Sequence, residues 1–334
     1  MPSLKKNLIT LILIVLVYSW FFVAKINHPT SPNVLGAATN TVVFVQPMAG
    51  EAPIVSEINN AQKEVLVEVY LLSDKQIINA LEAAVKRGVD VKVMLEQHPF
   101  GGNGLNNKTK QAFESSGISV EWTNPKFALT HEKAIVIDNN EAFILNQNLT
   151  TASFTKNREY NVIDTNPEDV SQIRQMFVAD WQRTNFNPAS AHLIDSPDTS
   201  RGVISALIEQ AKQTIDIEME VVEDNEMITL LSQKAKNTTI RILAPPTSQI
   251  TSNKKSLATL KEAGVFVKTL SSPYIHAKLI LVDGTKAYVG SINLSSQSMD
   301  GNRELGIILS GNNIGILSST FSQDFENAKD FGAN

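Results

Sequence analysis

Two stretches of the sequence carry a histidine and a lysine two residues apart, followed by an aspartate. They are THEKAIVID (130–138) and IHAKLILVD (275–283). Both are otherwise apolar enough to form a buried strand, in which alternate side chains point to the same face. The histidine and the lysine of each stretch therefore share a face. Such a pair can supply a nucleophile or a proton carrier beside a fixed positive charge.

The two stretches belong to a longer internal repeat. Residues 130–164 align with residues 275–309 without a gap, at an offset of 145 residues. One histidine and lysine on a strand are more often a partly exposed edge with a solvated lysine than a reactive site. Two copies in register indicate a paired active site instead. The polar positions that coincide are His131 and His276, Lys133 and Lys278, Asp138 and Asp283, Asn148 and Asn293, Ser153 and Ser298, Asn157 and Asn302, Arg158 and Arg303, and Glu159 and Glu304.

The aspartates of the repeat have the opposite parity along the strand and precede a returning strand. Asp138 and Asp283 are therefore interpreted as organisers of a hairpin turn rather than as reactants. Asn148 and Asn293 follow the returning strands, where their amide groups can donate hydrogen bonds near the histidine end.

Glu159 and Glu304 open the next strand of each copy. A carboxylate is the partner that fixes the tautomer of a histidine through its Nδ1–H, and we expect each glutamate to accept such a bond. The alternative is a strand-end ion pair with the preceding Arg158 or Arg303, and the sequence leaves both interpretations open.

The segments before each motif predict the same order of strand, helix and strand in both copies. The first copy has EVLVEVYLL, DKQIINALEAAVKRG and VDVKVMLE; the second has QTIDIEMEVV, DNEMITLLSQKAKN and TIRILAPP. A further helix and strand lead into each motif, and a hairpin follows. The predicted fold class is α/β, with two similar pseudo-twofold halves, over 45–185 and 186–330, whose mixed sheets are flanked by helices.

The repeated pattern resembles the phospholipase D superfamily of phosphodiesterases over about residues 45–330. The second copy continues through Gly290-Ser291 to Asn293, as the family pattern requires. The first copy retains Asn148 but has Leu145-Asn146 where Gly-Ser is expected. We expect Leu145 to take space beside the substrate and Asn146 to donate in place of a hydroxyl, which would alter oxyanion binding in the first half.

The resemblance implies a phosphohistidine mechanism that needs no metal and no cofactor. His131 would attack phosphorus, and His276 would protonate the leaving alcohol and then act as a base for water or an incoming alcohol. Glu159 and Glu304 would orient the histidines. The groups expected to hold the non-bridging oxygens as charge develops are Lys133, Lys278, Asn148 and Asn293. The residues expected to contact substrate around them are Asn146, Ser291, Leu129 and Tyr274.

The N-terminus predicts a membrane anchor. Lys5 and Lys6 precede an uncharged run that ends at Ala24, and a breaker-rich linker over 25–44 follows. The run reaches the length that a bilayer requires, and the nearest small-residue cleavage candidate, at 36–38, is distant. We expect an uncleaved signal anchor over 1–24 with the N-terminus in the cytoplasm, hence a single-pass membrane protein whose catalytic part lies outside. Cleavage of the leader would make the protein secreted.

Composition narrows the substrate without identifying it. Apart from Lys5 and Lys6, the chain has 27 basic and 34 acidic residues, and this acidic excess disfavours a broad nucleic-acid surface. The chain has no cysteine, and its five histidines lack metal-ligand spacing. The favoured substrate is a phospholipid head group, cleaved or transferred by a monomeric active unit. The alternatives are a metal-independent nuclease of the same superfamily and a catalytically weak phosphate-binding domain.

Overall fold

The computed structural model describes residues 36–101 and 104–332, and the predicted anchor at 1–24 lies outside them. Within the described residues, no helix has the length and apolar character needed to cross a membrane. Two α/β halves with mixed sheets and flanking helices are present, which confirms that part of the predicted fold class.

The first half contributes seven strands to the first sheet, and a short strand of the second half, Tyr274–Ile275, is the eighth. Its strands are β1 (Thr41–Gln46), β2 (Glu64–Val69), β3 (Asp90–Leu95), β4 (Ser119–Trp122), β5 (Lys133–Ile137), β6 (Glu141–Leu145) and β7 (Asn157–Asp164). Its helices are α1 (Ala52–Asn60), α2 (Lys75–Lys86), α3 (Leu105–Ser116), α4 (Thr151–Thr155) and α5 (Pro167–Gln182).

The second half repeats this order and adds two short strands, Tyr274–Ile275 and Lys329–Asp330. Its strands are β8 (Leu193–Ser196), β9 (Thr214–Met219), β10 (Thr239–Ala244), β11 (Phe266–Thr269), β12 (Tyr274–Ile275), β13 (Lys278–Val282), β14 (Lys286–Gly290), β15 (Glu304–Ser310) and β16 (Lys329–Asp330). Its helices are α6 (Ser200–Gln210), α7 (Asn225–Lys234), α8 (Asn253–Glu262), α9 (Ser296–Asp300) and α10 (Asn313–Asn327).

Both sheets are mixed because strand–helix–strand units join a run of antiparallel strands. In the described residues the first sheet runs β1-β7-β6-β5-β2-β3-β4, and the second runs β16-β11-β10-β9-β13-β14-β15-β8. The strands β2, β3 and β4 are parallel, as are β9, β10 and β11. The motif strands β5 and β13 are antiparallel to β2 and β9, which places the start of each motif strand beside the C-terminal end of a central parallel strand.

The halves pack over a shared core. Alternate residues of β5 belong to different clusters: Ala134 and Val136 face the central one, and Ile135 and Ile137 face the helices of the first half. The central cluster takes residues from both sheets, from α5 and from α10. The motif strands are thus buried on both faces, which explains their nearly continuous apolar sequence.

The halves also exchange backbone contacts near the motifs. Strand β12 pairs in parallel with the start of β7, and Thr130 forms the equivalent bridge with Arg303. The contacts are reciprocal, as a pseudo-twofold arrangement requires. The first sheet begins at Thr41, inside the segment predicted as linker, because β1 pairs along β7.

Candidate active site

The two histidines are held by glutamates from the opposite halves. His131 Nδ1 lies 3.0 Å from Glu304 Oε2, and His276 Nδ1 lies 2.8 Å from Glu159 Oε2. Both glutamates are fully buried. Since an Nδ1–H donates to each carboxylate, Nε2 is left as the nitrogen available for chemistry. The alternative ion pairs between these glutamates and the preceding arginines are not formed. Arg158 pairs with Asp324 instead, and Arg303 pairs with Asp180.

Each glutamate has further donors that fix its orientation. Ser298 Oγ and Asn302 Nδ2 donate to Glu304 Oε1 at 2.6 and 3.0 Å. Asn157 Nδ2 donates to Glu159 Oε1 at 3.0 Å. The repeated asparagine therefore has the same partner type in both halves. Burial would raise the pKa of Glu304, but the neighbouring His131 and Lys133 and the hydrogen bonds from His131 and Ser298 hold it below its usual value.

The two lysines are buried beside the histidines. Lys133 is 1% exposed and Lys278 is fully buried, and each Nζ donates to the carbonyl of the histidine two residues before it. Burial lowers the pKa of Lys133 to about 7 despite the opposing charge of Glu304. An anion bound at this site would restore the full positive charge of such a lysine.

The environments of the two histidines differ. The ring of Tyr70 packs edge-on against His131 with centroids 4.8 Å apart, whereas Glu220 Oε2 lies 3.5 Å from His276 Nε2. Tyr70 and Glu220 are equivalent, since each directly follows a central parallel strand and donates its backbone N–H to the residue after the histidine. Burial and the charge of Lys133 lower the pKa of His131 to about 4, which keeps this imidazole neutral near pH 7.

Glu220 and Tyr70 are site residues that the sequence analysis missed. Lys278 Nζ donates to Glu220 Oε2 at 2.9 Å, and Tyr274 Oη donates to Glu220 Oε1 at 2.7 Å. Their position in the sequence could have indicated this role, because both follow the C-terminal end of a parallel strand, where α/β folds place ligand contacts. The repeat did not reveal them because a tyrosine stands in one half and a glutamate in the other.

The two repeated asparagines, Asn148 and Asn293, follow the strands β6 and β14 that return from the motifs. Asn293 Oδ1 accepts from Val221 N at 3.2 Å, an orientation that leaves Nδ2 as a donor. The buried Oδ1 of Asn148 has no hydrogen-bond partner among the described residues. The roles predicted for both stay predictions.

The aspartates of the motifs act at the far end of their strands. The carboxylate of Asp138 accepts from the backbone N–H groups of residues 62–64, and that of Asp283 accepts from those of residues 212–214, at 2.7–3.0 Å. Both residues have positive φ in the hairpin turns. They organise the entry of β2 and β9, as strand parity predicts, and do not reach the histidines.

Two predicted substrate contacts need correction. Asn146 is fully buried: its Oδ1 accepts from Lys278 N at 2.9 Å and Tyr160 N at 3.2 Å, and its Nδ2 donates to the Gly290 carbonyl. Ser291 is also fully buried and exchanges hydrogen bonds with the backbone of Leu305. Because these polar atoms are used by backbone groups, neither side chain is free to bind a substrate oxygen.

The departure from Gly-Ser in the first half has a structural consequence. Leu145 packs into the core of its own half with Phe143 and does not crowd the site, contrary to expectation. A Cβ at Gly290 would come 2.4 Å from the Cα of Gly306, so the second half requires glycine where the first accommodates leucine. Asn146 instead ties the end of β6 to β13 across the two halves.

The remaining predicted contacts flank the histidines. Tyr274 is half-buried, with its ring centroid 6.4 Å from that of His276. Leu129 is half-buried, and its carbonyl accepts from Arg303 N at 2.9 Å. Among the described residues, no group of histidines and carboxylates has the arrangement of a metal site.

Comparison with known proteins identifies the class of this two-halved fold. The chain matches the family model described as cardiolipin synthase, phospholipase D-like domain, over residues 54–181 and 204–329, one match for each half. It therefore belongs to this family of the phospholipase D superfamily.

Curated relatives include two cardiolipin synthases. That of Clostridium perfringens is 24% identical, over 83% of this chain and 67% of its own length. Cardiolipin synthase 1 of Bacillus cereus is 21% identical, over 84% of this chain and 65% of its own length. The chain thus spans about two thirds of the length of these relatives.

Solved structures share the fold at low sequence identity. The phosphatidylserine synthase of Haemophilus influenzae superposes with a TM-score of 0.66 at 13% identity and covers 89% of both chains. A polyphosphate kinase from Porphyromonas gingivalis gives 0.69 at 14% identity, over 84% of this chain and 46% of its own.

Proposed function

We propose that this protein is a phospholipase D-like enzyme that exchanges the alcohol of a phospholipid head group through a covalent phosphohistidine. The observation that carries the proposal is the crossed pairing of His131 with Glu304 and of His276 with Glu159. Each half supplies a histidine and the carboxylate that orients the histidine of the other half. One chain therefore completes the site, which supports a monomeric active unit.

In the first step, the neutral Nε2 of His131 attacks phosphorus. A P–N bond forms, the P–O bond to the head-group alcohol breaks, and protonated His276 gives its proton to the leaving oxygen. Lys133 and Lys278, with the amides of Asn148 and Asn293, stabilise the charge on the non-bridging oxygens.

In the second step, water or an alcohol replaces His131. His276 removes the proton of the incoming hydroxyl, a new P–O bond forms, and the P–N bond breaks, which returns His131 to the neutral state. Water gives hydrolysis and an alcohol gives transfer. The low pKa of His131 supports its role as the nucleophile, because a protonated imidazole has no lone pair at Nε2.

The family and its relatives support phospholipid as the substrate class. The matched family model and the curated relatives named above are cardiolipin synthases. The acidic balance of the chain also disfavours extended phosphate contacts with nucleic acid. A membrane anchor over residues 1–24 would hold the site next to its substrate, outside the cytoplasm.

The test offers the full-length protein in detergent three substrates: mixed micelles of phosphatidylglycerol, single-stranded DNA, and bis(nitrophenyl) phosphate. We expect turnover of the lipid and the nitrophenyl diester, lost in His131→Ala and retained in a control with the exposed loop residue His98 replaced, His98→Ala. Cleavage of DNA with no conversion of lipid would establish the nuclease instead. Binding without turnover of any diester would indicate the phosphate-binding domain.

The anchor has a separate test. Intact-mass measurement of the membrane-extracted protein should give a chain that starts at or next to Met1. A mature start near Ala37 would show a cleaved leader and a secreted protein.

A further inference from the structure

Glu220 is a carboxylate in a site that must bind an anion. Its side chain is 14% exposed, and it contacts Lys278 and lies 3.5 Å from Nε2 of His276. This is the nitrogen that handles the proton of the departing or incoming alcohol in the proposed reaction. Burial would raise the pKa of Glu220, but the charges of His276 and Lys278 and the hydrogen bonds from Lys278 and Tyr274 hold it well below its usual range. The carboxylate is therefore ionised.

An ionised carboxylate only accepts hydrogen bonds, and a phosphodiester monoanion has none to donate. The natural ligand of Glu220 is consequently a donor on the alcohol part of a substrate. A hydroxyl or an ammonium could fill that role in principle. Lys278 Nζ already neutralises Glu220 at 2.9 Å and would repel a second cation, so a neutral hydroxyl fits better.

Tyr274 completes this position. Its hydroxyl donates to Glu220 Oε1 at 2.7 Å, and its oxygen keeps lone pairs for a further donor. In the first half the position of Glu220 is taken by Tyr70, whose ring packs against His131 and whose Oη accepts from the Phe100 backbone N–H. Of these two equivalent described residues, only Glu220, beside His276, is a carboxylate whose remaining lone pairs can accept a hydrogen bond next to the reacting oxygen.

We propose that Glu220, with Tyr274, binds a second hydroxyl of the acceptor alcohol while His276 activates the first, and so selects polyols over simple alcohols and water. This inference rests on the proposed function. Glu220 exchanges no proton: the first hydroxyl loses its proton to His276, its oxygen bonds to phosphorus, and the P–N bond to His131 breaks.

The test follows three products from one donor by mass spectrometry. Phosphatidylglycerol micelles are incubated with deuterated glycerol and 1-propanol at equal concentration. The products are labelled phosphatidylglycerol, phosphatidylpropanol and phosphatidic acid. The variants are Glu220→Gln, which keeps the size and removes the charge, Tyr274→Phe, and the exposed control Glu223→Gln.

We expect the wild type and Glu223→Gln to prefer glycerol over propanol by roughly tenfold or more, the contribution of one hydrogen bond to a charged group. Glu220→Gln should lose most of this preference and Tyr274→Phe part of it, while transfer to propanol and hydrolysis change by a common factor. That pattern identifies a specificity residue. Because the preference is a ratio of products from one sample, it does not depend on the overall rate or on the yield of folded protein.

Two results would overturn the inference while leaving the proposed function intact. One is a wild type that converts lipid without preferring glycerol. The other is Glu220→Gln lowering all three products equally with the preference unchanged, which would show that Glu220 acts only through His276 or Lys278. No conversion of lipid by the wild type would instead reject the proposed function, and this inference with it.

Discussion

Glu304 Oε2 accepts a hydrogen bond from Nδ1 of His131 at 3.0 Å, although the two residues lie 173 positions apart and in different halves. The reciprocal pair, His276 and Glu159, spans 117 positions. Each histidine is thus positioned by the docking of one half on the other. The site exists only when both sheets are folded and packed together.

The crossed pairing makes a prediction about the two glutamates. Glu304→Gln should impair His131, and Glu159→Gln should impair His276, each by roughly 10²–10⁴-fold in kcat, because the amide no longer fixes the tautomer and orientation of its histidine. The effects differ by step. The phosphatidyl group trapped on His131 by denaturation at neutral pH during turnover should fall in Glu304→Gln, whereas Glu159→Gln should be partly rescued by a nitrophenyl leaving group. The reverse assignment of the two effects would show that each glutamate serves its own half.

The histidines themselves should differ despite the repeat. His276→Ala should lose most of its rate on an alkyl diester yet keep appreciable turnover of a nitrophenyl diester, whose leaving group needs little protonation. His131→Ala lacks the attacking atom and should be inactive on both. Wild type denatured at neutral pH during turnover of a phospholipid should carry the phosphatidyl group on a peptide containing His131. A phosphatidyl group on a peptide containing His276, or leaving-group rescue seen only in His131→Ala, would exchange the two roles.

Much of this fold was accessible from the sequence because the repeat and the strand period report local geometry. Parity placed His131 and Lys133 on one face and assigned Asp138 to a turn, where it binds three backbone amides. These features depend on neighbours along the chain. The crossed glutamates do not, because the same spacing is compatible with pairing inside each half.

The residues that escaped prediction are those whose role depends on the packing of the halves. Asn146 was expected to donate to substrate, but its Nδ2 donates to the carbonyl of Gly290 and its Oδ1 accepts from the backbone N–H of Lys278. Glu220 is not repeated as a glutamate in the first half, because Tyr70 holds the equivalent position. Long-range contacts of this kind leave no periodic pattern in a single sequence.

The bond network of Asn146 predicts a stability effect. Asn146→Ala leaves the buried N–H groups of Lys278 and Tyr160 without their acceptor and should reduce the free energy of unfolding by about 2–4 kcal/mol. Ser291→Ala, at the equivalent position, removes hydrogen bonds within one half only and should cost less, about 1 kcal/mol. Urea unfolding measures both. Equal losses would show that the contacts of Asn146 between the halves add nothing to stability.

Glu218 predicts how stability depends on pH. It is fully buried, Tyr160 Oη donates to its Oε2 at 2.6 Å, and its Oε1 has no partner among the described residues. Burial, with the nearby charge of Asp324, raises its pKa to about 8, against an ordinary value of 4.5. The folded state therefore holds the proton more tightly than the unfolded chain. The stability that the protonated group contributes is complete below about pH 4.5 and is lost as pH rises through about 8.

Glu218→Gln removes this titration while keeping an oxygen that accepts from Tyr160. Relative to the wild type, the variant should gain roughly 2–4 kcal/mol of unfolding free energy as pH rises from about 5 to about 9. The difference between the two proteins is the informative quantity, because other buried acids, such as Glu132, titrate equally in both. Urea unfolding at several pH values provides the measurement, and the exposed Glu223→Gln should show a constant difference. A gap between Glu218→Gln and wild type that does not change with pH would mean that Glu218 is already ionised in the folded protein at pH 5.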